Sequence, residues 1–194
     1  MGKFHQEITG AILNFIEKQK LFFVATAPLS INGHINLSPK GMDCFKVLGP
    51  NKVAYMDLIS SGNETSAHTL ENGRITFMFC SFEKVPNILR LYGKGYTVLK
   101  ENQEWTKLAK NFTIYKSTRQ IIVAEISKVQ ISCGYGIPLF DYVSERNIHF
   151  DWAEKKGEDG LNQYVHDNNL ISLDGLPTSI GIEKSKIKIK NKLL

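Results

Sequence analysis

The chain has 194 residues, 42% of them hydrophobic and 22% charged, with a formal charge of +5. This balance supports one domain with a sizeable core and excludes a chain disordered throughout; no run approaches the roughly 20 apolar residues of a membrane span and no signal-peptide core opens it, so a cytoplasmic protein is expected. The charge is local, because residues 183–194, EKSKIKIKNKLL, hold five lysines and one glutamate, and neither nucleic acid nor membrane is expected as a partner.

Apolar residues at Phe4, Ile8, Ala11, Ile12, Phe15 and Ile16 repeat with the helical period and predict an amphipathic helix over the first twenty residues. The period then changes to that of strands. LFFVATAP and HINLSPKG flank Asn32-Gly33 and predict a hairpin, since both turn residues accept positive φ. KVAYMDLI follows as a third strand. In Ser60 to Arg74, Ser61 and Glu64 have capping-box spacing, so a short helix is predicted from about residue 62 to 72. RITFMFCSF, NILRLYGKGYTVL and QIIVAEISKVQIS complete about six strands, with a bulge or bend expected at Gly93-Lys94-Gly95 and a helix near 102–112.

Short connections and few interior helices argue against βαβ alternation and for an antiparallel barrel with helices outside it. Residues 1–132 form the expected barrel domain, 133–182 an extension of the same domain containing a helix, and 183–194 a basic tail. The tail reads as solvated and disordered or, from its Lys/Ile alternation, as an edge strand. Cys44, Cys80 and Cys133 are odd in number and widely spaced, which predicts reduced thiols in or near the core and no disulfide framework.

The five histidines make no HxH or HExxH grouping, so no metal site is expected, and neither a GxSxG elbow nor a phosphate loop is present. Two polar clusters stand out. The predicted helix start would offer backbone N–H groups to an anion, with the hydroxyls of Ser60, Ser61, Thr65 and Ser66 beside them. At another strand end, Asn36-Leu37-Ser38-Pro39-Lys40-Gly41 carries a cation and a hydroxyl suited to a phosphate. Each cluster also suits a plain connector or turn; two of them at strand ends of one small barrel favour a ligand site.

FFVATAP with GHINLSPKG, then VAYMDLISSGNETSAHTLENGRITFMF, then ILRLYGKGYTV, resemble the pyridoxamine 5'-phosphate oxidase-like, FMN-binding split-barrel family from about Ile12 to Ile131. With SCGYGIP added, the pattern is similar to a branch of that family with no assigned reaction. The resemblance implies a mainly β fold with flanking helices, a six-stranded antiparallel split barrel. It also implies a homodimer with FMN in clefts between subunits, and an oxidoreductase of unknown small-molecule substrate. Lys40, with Asn36, Ser38 and Pro39 on its strand, is implied at the flavin phosphate; Tyr55 and Asp57 lie on the strand implied beside the isoalloxazine ring. Ser61, Thr65 and Ser66 belong to the turn and helix implied to face the phosphate.

The pattern departs from the oxidases at two places. Glu64 and Thr65 stand where the oxidases carry an Arg-Lys pair, and a carboxylate about 4 Å from phosphate costs on the order of several kcal/mol at an effective dielectric near 20. Glu64 must then turn away, for instance into the capping box, with Lys40, Arg74 and Arg90 left as compensating cations. The vitamin-binding C-terminal signature is not recognisable in RNIHF, so pyridoxamine phosphate oxidation itself is not expected; no catalytic acid or base is nominated. The glycines of SCGYGIPLF let backbone approach a ring, and Tyr135 is a candidate to stack on it. The alternatives on the same fold are a non-enzymatic binder of haem, deazaflavin or another phosphate compound, with His68 and His149 as the first haem ligands to test.

Overall fold

A computed structural model describes residues 2–192, with side chains described to residue 186. The chain opens with β1 (Lys3–His5), not with a helix. Phe4 pairs with Gln130, so the first residues extend the sheet; the helix α1 starts only at Gly10 and runs to Lys18, burying Ile12 and Ile16. Strands β2 (Phe22–Thr26) and β3 (Asn36–Lys40) pair antiparallel with Phe22 opposite Lys40. Their connection is a longer loop, and neither Asn32 nor Gly33 takes positive φ. Gly33 N–H instead donates to Ser30 O, and Asp174 accepts from His34 N–H, so a distant segment holds this loop.

β4 (Phe45–Gly49) was not expected from the sequence; β5 (Lys52–Leu58) follows it. Then come α2 (Glu64–Glu71), β6 (Arg74–Cys80), β7 (Ile88–Val98), α3 (Trp105–Ala109) and β8 (Thr118–Ser132). All pairings are antiparallel, in the order β3-β2-β6-β7-β8-β5-β4 with β1 added to β8. The described residues therefore form eight strands where six were expected, the additions being the short β1 and β4. The expected irregularity at Gly93 is present as a register shift against β8, and a Cβ there would lie 2.2 Å from Glu125 O.

The sheet curls until its two ends meet through side chains. Phe45 on β4 packs at 5.0 Å from the ring of Phe22 on β2 and at 5.0 Å from Phe79 on β6, edge to face. Tyr55, Phe77, Leu89, Leu91 and Ile122 fill the interior with no exposure. Burial of this apolar area, at roughly 25 cal/mol per Å², is the main stabilisation of the barrel. β3 and β4 remain unpaired with each other, and the barrel is split there.

After β8 an irregular segment leads to α4 (Ile148–Asn168), broken at Gly157 where φ is +65°, and to α5 (Ser179–Lys192). Ala153, Leu161 and Val165 of α4 bury themselves against Ile59 of the barrel. The tail expected as a solvated end or edge strand is helical as far as Lys192; Leu193 and Leu194 lie outside the described residues. Cys44 and Cys80 are buried, but Cys133 is exposed because it lies just past the end of β8. Among the described residues no helix is long and apolar enough to cross a membrane.

Candidate functional site

The split between β3 and β4 opens beside the start of α2. Lys40, the last residue of β3, reaches Asp57 on β5 with Nζ 2.9 Å from Oδ1. A register shift between Asp57 and Leu58 turns two successive β8 residues toward the same carboxylate. Arg119 donates to Asp57 Oδ2 through Nε at 3.0 Å and Nη2 at 2.6 Å, and Gln120 Nε2 donates to that oxygen at 2.8 Å. Burial works against the Asp57 charge, but Arg119 and Lys40 outweigh it and hold the carboxyl well below the usual carboxylate range. Asp57 is thus a buried anion clamped between two cations, of which only Lys40 keeps appreciable exposure.

The same network sets the loop before α2. Arg119 Nη1 donates to Gly62 O at 2.9 Å and Gln120 Nε2 to Asn63 Oδ1 at 2.7 Å. Asn169, from beyond α4, donates to Ser60 O and accepts through its own carbonyl from Asn63 Nδ2. The expected capping box does not form: Asn63 is the N-cap and makes no side-chain cap bond. Glu64 is drawn the other way, both carboxylate oxygens lying 3.1 Å from Leu173 N. It turns from the helix axis as the charge argument requires, but onto the C-terminal segment.

Two adjoining cavities share Ser38, Lys40 and Ser60. The smaller, about 170 Å³, is polar and is lined by Asn36, Ser38, Lys40, Asp57, residues 60–65 and Arg119. The other, about 300 Å³, is bounded by Pro39, Met42, Cys44, Met56, Leu58, Tyr115 and His149. Burial pushes the Cys44 thiol up to about 12, so it stays protonated. Burial, with Lys40 nearby, lowers the His149 pKa, so this ring, whose Nε2 lies 3.0 Å from Ser117 Oγ, is neutral at neutral pH. A further cavity, about 580 Å³, lies between the barrel end, α4 and α5; Arg119 lines both it and the polar cavity, and Tyr115 both it and the neighbouring one.

The structure brings together Asn36, Ser38, Lys40, Asp57, Ser61 and Thr65 around the polar cavity, with Pro39 lining its neighbour. Tyr55 lies behind them, fully buried, with Lys40 Nζ 5.6 Å from its ring centre. Four expected residues are elsewhere. Ser66 is fully buried, its Oγ accepting from Thr97 Oγ1 and Ser179 N. Arg74 donates to Pro28 O and Asn72 Oδ1 at the far end of α2, so it supplies no charge to the cleft. Arg90 donates to Ser132 Oγ, and Tyr135 projects into solvent. His68, named for a haem ligand, is fully buried and bonded to Thr26.

Arg119, Gln120, Asn63 and Asn169 were missed. Thr118-Arg119-Gln120 was a usable signal, a polar triplet directly ahead of the apolar run Ile121 to Ala124; Asn169 had none, because its partners are 106 and 109 residues away.

A split antiparallel barrel with a polar cavity at a helix start and a more apolar one beside it is the kind of concave site in which small molecules are held. The family model for pyridoxamine 5'-phosphate oxidase matches residues 8–133. The Aspergillus flavus pyridoxamine 5'-phosphate oxidase family protein ustO is 36% identical over 196 residues, covering 91% of this chain and 78% of its own. The chain belongs to the pyridoxamine 5'-phosphate oxidase family. Among solved structures, a variant of HupZ from Group A Streptococcus superposes with a TM-score of 0.52 at 17% identity, over 64% of this chain and 99% of that one. A Lactobacillus delbrueckii protein described as a candidate pyridoxamine 5'-phosphate oxidase gives 0.51 at 14% identity, over 64% and 94%.

Proposed function

We propose that this protein binds FMN, its phosphate in the polar cavity and its ring in the adjoining one, and serves as a flavin-dependent oxidoreductase of a small molecule. The observation that carries this reading is the junction of the two cavities at Lys40, where an accessible ammonium meets the start of α2. Backbone N–H groups at a helix start favour an anion, and the second cavity accepts a flat, largely apolar body.

The residues present fit a phosphate through hydrogen bonds more than through net charge. Lys40 and Arg119 are balanced by Asp57 and Glu64, but the Glu64 carboxylate is engaged by Leu173 N–H. Lys40 and the Thr65 hydroxyl would hold the phosphate, with the backbone of residues 60–65 around it. Asp57 and Arg119 fix Lys40 and the loop; Pro39, Met56 and Leu58 would exclude water from one face of the ring. A bound flavin supplies hydride chemistry, which the protein tunes by position and hydrogen bonding.

The experiment is an absorbance spectrum of the purified protein followed by mass spectrometry of what it releases on denaturation. The expected result is a flavin spectrum and a released mass of FMN, with Lys40→Met weakening FMN binding about tenfold or more. A colourless protein that gains no thermal stability with excess FMN overturns the reading.

A further inference from the structure

The turn that joins β3 to β4 at the split breaks a local rule. Residues 41–44 read Gly-Met-Asp-Cys, yet the left-handed backbone falls on Met42, at φ +61°, and Asp43, at φ +47°, and not on Gly41. Among the described residues these two alone, glycines apart, have positive φ. An L side chain is disfavoured there because its Cβ crowds the carbonyl oxygen, and Asn and Asp tolerate it best because they can hydrogen-bond locally.

Asp43 fits that exception, since both its carboxylate oxygens accept from Lys46 Nζ, at 3.0 and 2.9 Å. Met42 has no such compensation, because a thioether offers no donor and only a weak acceptor. A glycine at position 42 would remove the strain; Gly41 stands one residue too early to do so.

The surroundings of Met42 supply a reason for the strain. Its side chain is half-buried, packs against the barrel core and lines the apolar cavity of about 300 Å³. It also lines another cavity, about 290 Å³ and polar, which takes in Asp43, Lys46, Lys110 and Phe112. Met56 and Tyr115 are the other residues common to the two. Met56 N–H donates to Cys44 O at 2.9 Å and so fastens the end of the turn to β5. Strained backbone persists where the surroundings over-determine it, and such positions cluster at ligand sites. A long, unbranched thioether at a cavity boundary suits a flat aromatic body, with which sulfur makes favourable contact.

We propose that Met42 is a specificity-determining residue of the ring site: the left-handed turn delivers its thioether to the boundary of the apolar cavity, where it contacts an aromatic ring and closes that cavity toward the neighbouring polar one. The inference rests on the ring position proposed above and adds a contact that selects for the ring independently of the phosphate.

The test compares Met42→Leu, Met42→Ala and Met42→Gly with wild type. The probes are FMN, lumiflavin, which is the ring without the phosphate-bearing chain, and inorganic phosphate, which lacks the ring. Affinity for lumiflavin and for FMN is expected to fall about tenfold in Met42→Ala and Met42→Gly and to stay within about threefold of wild type in Met42→Leu, with phosphate affinity unchanged in all three. A second measurement needs no ligand. Met42→Gly and Met42→Ala lack the same long side chain and differ in how readily they take positive φ, so Met42→Gly is expected to unfold about 2–4 °C above Met42→Ala. Unchanged lumiflavin affinity in Met42→Ala overturns the proposal. So does a matching loss of phosphate affinity, because a merely loosened turn would weaken both halves of the cleft alike. A midpoint for Met42→Gly no higher than that for Met42→Ala overturns the strained delivery of the side chain. Wild-type protein that binds phosphate but not lumiflavin removes the ring site itself and the inference with it, whereas wild-type binding of both leaves that site standing whatever the variants do.

Discussion

At the scale of single residues, the cleft is governed by Asp57. It receives hydrogen bonds from Lys40, Arg119 and Gln120 while almost wholly buried, so its charge is affordable only with its partners in place. Asp57→Ala would leave Arg119 and Lys40 uncompensated and is expected to cost about 3–5 kcal/mol in denaturant unfolding. The pH dependence follows from the direction of the shift. The folded protein holds Asp57 ionised below the pH at which an unfolded chain, with a carboxyl pKa of about 3.9, takes up a proton. The network therefore stabilises the fold fully above that pH and loses its contribution as pH falls toward the depressed folded value. Unfolding curves across the acid range should show this loss in wild type and a flatter profile in Asp57→Asn.

Lys40, Ser38 and Thr65 were legible in sequence because polar residues at the end of an apolar strand and at a helix start advertise themselves locally. Glu64 was legible as a charge problem but not as a solution, since its acceptor role toward Leu173 N–H spans 109 residues. Arg74 and Arg90 were misplaced for a related reason. Strand sequence says on which residue a guanidinium sits, whereas their partners, Pro28 O and Ser132 Oγ, depend on which strand lies alongside.

At the scale of elements, β8 organises the molecule. It pairs with β7, β5 and β1, and its irregularities at both ends position function and shape. One, opposite Asp57 and Leu58, aims Arg119 and Gln120 at a single carboxylate. The other lies opposite Tyr92 and Gly93, where the β7 backbone approaches Glu125 O too closely for a side chain. Gly93→Ala is expected to lower stability by roughly 1–3 kcal/mol, read as a lower midpoint in thermal unfolding, since the clash is with backbone that cannot rotate away. The glycine and its bulge were visible in sequence. β1 and β4 were not, because strands of three and five residues are too short to show a period, although Gly49-Pro50-Asn51 marks the turn that closes β4.

At the scale of the whole molecule, the extension after β8 does two different things. Its helices bury Ile59, and Asn169 and Leu173 fasten the loop before α2. Between β8 and α4, however, Tyr135, Leu139, Phe140, Tyr142 and Val143 are all exposed, with Val143 at 90%. So many large apolar side chains in nine residues exceed what scattered surface positions require, and such patches mark interaction sites. In line with a homodimer, light scattering at micromolar concentration is expected to give twice the chain mass. Tyr135→Asp combined with Phe140→Asp would shift the protein toward monomer; an unshifted dimer would assign its interface to another face.

The sequence by itself determined the fold class and the neighbourhood of the cleft, because hydrophobic period, turn chemistry and strand-end polarity are properties of neighbouring residues. Tertiary structure alone decided which polar groups meet: Arg119 on the Asp57 carboxylate, Glu64 on Leu173 N–H, Asn169 on Ser60 O. These contacts join residues 62 to 109 positions apart, and hydrogen bonds and ion pairs act through space within a few ångströms, a distance that only the folded chain sets.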